Sequence, residues 1–200
     1  MKIWDKIKNH YKDKSKFAIA TDILFYALII AMLFPSSRAF VMEHVQRVTM
    51  LSPREKKEVK QLSPQDYDWY VYDVNNQIHK LSDYKGKVIF INFWATWCGP
   101  CLAEMPALKE LYDRYKDNPD IVFLFVTTED LAQSEQFLKK RGWDVPVYKQ
   151  VTRQPEVLYS SSIPSTYLID KEGKIIVEAH RATRWNSAKS LRLINRLIAQ

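Results

Sequence analysis

Cys98 and Cys101 are the two cysteines of this 200-residue chain, and both fall in one five-residue string, Trp97-Cys98-Gly99-Pro100-Cys101. Two cysteines three apart at a helix start lie on one face and can close a small disulfide ring. The thiolate is the attacking species in thiol–disulfide exchange, so such a pair is a complete redox device in itself. Half of a zinc site and two incidental buried thiols are the bland alternatives. A structural zinc needs four ligands, usually completed by a second Cys/His pair. There is no third cysteine, and His79 and His180 stand alone, so no metal site and no cofactor are expected. Spacing and context favour the redox reading.

The elements around the pair must hold it in place. Residues 87–93 (Lys-Val-Ile-Phe-Ile-Asn-Phe) form a short apolar run of strand type, and residues 103–116 read as a helix. The pair therefore sits on a strand-to-helix turn. Upstream, residues 69–72 and 77–81 flank Asn75-Asn76 as a hairpin, and residues 83–86 turn into the strand. Downstream, residues 121–126 are continuously apolar, as suits a central strand, and residues 131–141 read as a helix stopped by Gly142. Residues 145–148 are expected as a short edge strand. Residues 166–169 and 174–177 flank Asp170-Lys171-Glu172-Gly173 as a second hairpin, and Ala188, Leu191, Ile194, Leu197 and Ile198 recur at helical spacing. This order predicts an α/β fold, a central mixed sheet with helices on both faces and an N-terminal hairpin extension. No internal repeat or low-complexity tract interrupts it. Residues 52–65, charged and framed by prolines, read as a linker or short exposed helix.

The net charge of +7 is unevenly spread. Residues 1–16 hold six lysines against Asp5 and Asp13, whereas residues 60–200 hold 19 basic and 17 acidic residues. A nucleic-acid binder should carry its basic stripe on the folded domain, so no nucleic-acid partner is expected. Residues 17–34 are apolar apart from Asp22 and would span about 27 Å as a helix, just enough for a bilayer core of about 30 Å. At mid-membrane Asp22 would cost about 2.5–3.5 kcal/mol, but near the end of the span headgroups can solvate it. The lysines before the segment place the tail in the cytoplasm by the positive-inside rule. The expected organisation is a basic cytoplasmic tail (1–16), a transmembrane anchor (17–34), a juxtamembrane amphipathic segment and linker (35–65), and the α/β domain (66–200). A cleaved signal peptide ending at Ser37-Arg38-Ala39 is the alternative, and either version puts the cysteines outside the cytoplasm.

Residues 66–200 resemble the thioredoxin superfamily, and more narrowly its membrane-anchored, extracytoplasmic members of the TlpA/ResA type. The resemblance is carried by Leu81-Ser82-Asp83-Tyr84-Lys85-Gly86-Lys87, by Asn92-Phe93-Trp94-Ala95-Thr96-Trp97-Cys98-Gly99-Pro100-Cys101 and by Glu104-Met105-Pro106. It continues in Ile163-Pro164-Ser165-Thr166-Tyr167-Leu168-Ile169-Asp170 and Glu172-Gly173-Lys174-Ile175. It implies a thioredoxin-like fold with a cis Ile163–Pro164 bond facing the cysteines and exposing Ile163 for strand-like pairing with a substrate peptide.

The residues fit that picture. Cys98 at the helix N-terminus gains thiolate stabilisation from free N–H groups and the dipole, and would be the nucleophile and the more exposed sulfur. Cys101, one turn in, would resolve the mixed disulfide. Gly99 would let a substrate backbone approach, Pro100 is acceptable in a first turn, and Trp97 reads as a lid beside the sulfur. Trp94 reads as core, and Pro106 as an architectural helix proline. Asn92 stands where cytosolic thioredoxins have a buried acid. Glu104, three residues beyond Cys101 on the same helix face, is a candidate replacement that tunes the thiols or carries a proton; a solvated helix glutamate is the other reading.

The resemblance implies a membrane-tethered thiol–disulfide oxidoreductase on the extracytoplasmic (periplasmic) side of a bacterial cytoplasmic membrane. It would reduce disulfide-containing protein clients, apocytochrome c among the candidates, with electrons from a membrane thiol donor. A disulfide-forming oxidase or isomerase would share every motif. A non-catalytic thioredoxin-fold binding protein would tolerate loss of Cys98.

Overall fold

The computed structural model describes residues 15–33 and 49–200. Residues 1–14 of the expected tail (1–16), Phe34 at the end of the expected anchor, and residues 35–48 of the expected juxtamembrane segment and linker (35–65) lie outside the described residues.

Helix α1 (Lys16–Leu33) belongs to a unit of its own. Ser15 Oγ accepts from the Ala18 amide at its start. Its apolar residues are not concentrated on one face of the helix, and Phe17, Leu24, Phe25 and Ile30 are all exposed. Its 18 residues include Lys16 and Asp22. Among the described residues, no helix is long and apolar enough to cross a membrane.

In the second unit the strands are β1 (Lys60–Gln61), β2 (Tyr70–Asp73), β3 (Ile78–Lys80), β4 (Val88–Phe93), β5 (Ile121–Thr127), β6 (Val147–Gln150), β7 (Ser165–Ile169) and β8 (Lys174–Ala179). The helices are α2 (Gly99–Tyr115), α3 (Leu131–Lys140) and α4 (Ala188–Ile198). The strands form one mixed sheet in the order β1-β8-β7-β4-β5-β6-β2-β3. β5 runs parallel to β4 and β6, while β7 pairs antiparallel with both β4 and β8.

Alternation along β4 and β5 divides the core. Phe90, Phe123 and Phe125 face one side, with Met105, Leu108 and Leu111 of α2, Leu138 of α3 and Ile194 of α4. Ile89, Ile91, Leu124 and Val126 face the other, covered by Leu62, Trp69, Leu81 and Leu158. The expectation of helices on both faces is thus corrected: all three helices of this unit share one layer. The crossovers β4–α2–β5 and β5–α3–β6 advance in the same direction across the sheet, so right-handedness puts both helices on the same side. The opposite layer is closed by short 3-10 turns and the hairpin. Strand β6 is also not an edge, because β2 pairs with it and carries the hairpin outward.

Residues 52–65 are neither helix nor free linker. They run along the sheet margin, where β1 pairs with β8, Leu62 is buried and Lys56 forms an ion pair with Glu178. In the β7–β8 hairpin, Gly173 has a positive φ of 85°, and a side chain there would collide with the Tyr67 hydroxyl.

Candidate active site

β4 delivers the chain to the turn and α2 begins immediately after it. Cys98 is the helix N-cap, in extended conformation, and Pro100 stands in the first turn, where no helical amide is needed. Cys98 and Cys101 are joined in a disulfide with Cα atoms 5.3 Å apart. The Cys101 amide donates to Cys98 Sγ at 3.2 Å, the place a capping oxygen would take. The same N–H would hold a Cys98 thiolate once the bond is reduced. Cys98 is 4 % exposed and Cys101 0 %, so Cys98 is the more accessible residue of the pair by a narrow margin. Trp97 beside it is 75 % exposed, whereas Trp94 is buried. At Gly99 a Cβ would meet nothing within 4 Å, so this face of the turn is open. Helix α2 runs on through Pro106.

Glu104 is fully buried, which excludes the solvated reading. Its Oε1 accepts from Asn92 Nδ2 at 2.9 Å and its Oε2 from the Thr183 amide at 2.9 Å. Asn92 Nδ2 also donates to Thr166 Oγ1 at 2.8 Å. The Trp185 indole lies toward the carboxylate without a hydrogen bond of full geometry. Burial outweighs these donors and pushes the Glu104 pKa up to about 8. Asn92 Oδ1 is buried without a partner in this arrangement.

The Ile163–Pro164 bond is cis. Pro100, Ile163 and Pro164 line one recess of about 360 Å³, and Ile163 also lines a second of about 150 Å³ with Trp94 and Trp97. The residues singled out in the sequence therefore assemble around one turn.

Several contributors carried no local signal. Glu129, in the β5–α3 loop, accepts from both the Thr96 amide (2.6 Å) and the Thr96 hydroxyl (2.7 Å), fixing the chain two residues before Cys98. Ser165, next to Pro164, hydrogen-bonds the Ser162 carbonyl at 2.7 Å and lies 3.0 Å from His180 Nδ1. Thr183 reaches Glu104 through its backbone, which no side-chain pattern reveals. Among the described residues, no cluster of His, Cys, Asp and Glu suited to a metal ion is present.

Comparison with known proteins places this arrangement among relatives. Residues 57–178 match the model of the AhpC/TSA family. The chain is 38 % identical over 111 residues to thiol-disulfide oxidoreductase ResA of Geobacillus kaustophilus, a match covering 54 % of this chain and 63 % of that protein. It is 36 % identical over 131 residues to the protein of the same name from Bacillus cereus, covering 64 % and 72 %. A solution structure from Bacteroides thetaiotaomicron, provisionally titled a protein disulfide isomerase, superposes with a TM-score of 0.60 at 25 % identity, over 75 % of this chain and 96 % of that one. The thioredoxin domain of a Bacteroides vulgatus thiol-disulfide oxidoreductase gives a TM-score of 0.51 at 18 % identity, over 74 % and 99 %, a likeness of fold.

Proposed function

The chain belongs to the AhpC/TSA family, with a thioredoxin-like fold, and from that premise we propose that it is a thiol–disulfide oxidoreductase working through Cys98 and Cys101. The observation that carries the reading is the disulfide across the first turn of α2, its outer sulfur capped by the Cys101 amide and its neighbour Pro100 lining a recess with Ile163 and Pro164.

In the reducing direction the Cys98 thiolate attacks a client disulfide. A Cys98–client bond forms, the client bond breaks and one client sulfur leaves as thiolate. Cys101 then loses its proton and attacks Cys98 Sγ, releasing the second client thiolate and leaving the intramolecular disulfide. Two electrons have passed to the client. Glu104, three residues beyond Cys101 on α2, takes the Cys101 proton in the fraction of molecules in which its carboxyl is ionised, a fraction that grows as pH approaches about 8. Its pKa of about 8 is close to that of an ordinary thiol, about 8.5, so the proton crosses at little cost.

The proposal includes a membrane tether through residues 17–34, with the domain on the extracytoplasmic side, protein disulfides as clients and a membrane thiol as electron donor. The lysine-rich residues 1–16 and the apolar surface of α1, exposed at Phe17, Leu24, Phe25 and Ile30, support the tether. Reporter fusions after Lys60 should be active only as exported-side reporters.

Single-cysteine variants test the chemistry. Cys98→Ser should abolish disulfide reduction. Cys101→Ser should attack without resolving and accumulate mixed disulfides visible by mass spectrometry. Equal trapping by both variants would contradict the assigned roles, and undiminished function of Cys98→Ser would favour a non-catalytic binding protein.

A further inference from the structure

The two recesses that share Ile163 differ in charge. The smaller contains no ionisable side chain: Trp97, Gln150, Gln154 and Ser160 are typical of its lining. The larger contains His180 and Arg181 and no carboxylate. Both side chains are exposed and continue into an adjoining recess of about 270 Å³, where Arg54 joins them. The acid of that second recess, Glu178, is already engaged by Lys56, Lys60 and His180, which hold it ionised and neutralised. Arg181 forms no ion pair among the described residues.

The far wall of the larger recess is Thr49, Met50 and Leu51. This stretch is fixed to the domain: Leu51 bridges Thr183, and the Leu51 carbonyl accepts from the Arg184 amide at 2.9 Å. The segment entering the domain therefore completes a basic, walled groove that Pro100 of the reactive turn also lines.

An extended chain sends successive side chains to opposite faces. A segment lying along Ile163 would place one side chain in the neutral aromatic recess and the next in the basic one. Resting on the oxidoreductase reading above, we propose that this groove selects its client: a protein segment carrying an aspartate or glutamate next to its half-cystine, the carboxylate set against Arg181. Rim charges of this kind act mainly on the encounter rate and are screened by salt.

The test uses the full chain in its dithiol form and short peptides whose cysteine is disulfide-bonded to a small reporter thiol. The neighbouring residue is Glu, Gln or Lys. Single-turnover second-order rate constants at low salt should rank Glu above Gln above Lys, with about a threefold to fivefold span between the extremes, as partly exposed ion pairs allow. The span should shrink toward one in about 0.5 M salt. Arg181→Glu should invert the ranking, and Arg181→Gln should compress it. If the wild-type protein reduces all three peptides at equal rates, or if Arg181→Glu keeps the preference for Glu, the selectivity is overturned while the oxidoreductase reading stands. If none is reduced, the oxidoreductase reading itself falls, and this proposal with it.

Discussion

Two glutamates brace the turn that carries the cysteines, under opposite conditions. Glu104 lies inside α2, fully buried, its carboxylate shared among Asn92, Thr183 and the neighbourhood of Trp185. Glu129 lies on a loop, half-buried, and receives both donors of Thr96. The first is an acid the interior keeps protonated to about pH 8, suited to exchanging a proton with a thiol. The second fixes backbone. Identical side chains on either side of one disulfide thus divide proton handling from positioning, and environment alone makes the division.

The largest effect expected from separating them is on Glu104. Its pKa is raised in the folded protein, so its contribution to stability is fully present below the unfolded pKa near 4.5 and is lost as pH rises through about 8. Full ionisation would cost on the order of 5 kcal/mol. Glu104→Gln cannot ionise, yet it can still accept from Thr183 and donate to a rotated Asn92. It should be more stable than wild type at pH 8–9 and lose the downward slope between about pH 5 and 8. Urea unfolding of the reduced and oxidised domains across that range measures it; an unchanged slope would deny the buried acid.

Glu129→Ala comes next. It leaves the Thr96 amide and hydroxyl without their acceptor and should cost about 2 kcal/mol. Unlike the Glu104 variant, it should preserve the slope between pH 5 and 8. Equal unfolding free energies for Glu129→Ala and wild type would remove the clamp from the account. The smallest effect belongs to Thr96→Val, which deletes one of the two hydrogen bonds and should cost about 1 kcal/mol. A double-mutant cycle between positions 96 and 129 should show coupling, since the two side chains touch.

Much of this site was legible in the sequence because its signals are local. The Cys98–Cys101 spacing, the apolar run of β4, Pro100 in a first turn and the stop at Gly142 each depend on neighbours a few residues away. Glu104 was legible as a candidate through its helical offset from Cys101, but its burial was not. That burial depends on Thr183 and Trp185, some 80 residues on, and one of those contacts is a backbone amide. Glu129 carried no signal at all, being one acid among others in a loop. The error over β6 has the same origin: its short run reads as an edge strand until the β2–β3 hairpin docks against it. Residues 52–65 look like a linker because their charges suggest solvent, yet Lys56 finds Glu178 across the chain and Leu62 finds the second core layer.

The central claim, a dithiol poised to give electrons away, is tested most directly by the reduction potential of the Cys98–Cys101 couple. The Cys101 amide and the start of α2 favour a Cys98 thiolate. Glu129 opposes it, and so does Glu104 as it ionises, while His180 and Arg181 lie exposed across the recess, where solvent screens them. No residue in the string 95–104 is cationic. The couple should therefore sit on the thioredoxin side of the scale, at roughly −220 to −280 mV, when the protein is equilibrated with glutathione or dithiothreitol buffers. A value above about −160 mV would contradict the reductase and assign the chain to disulfide formation.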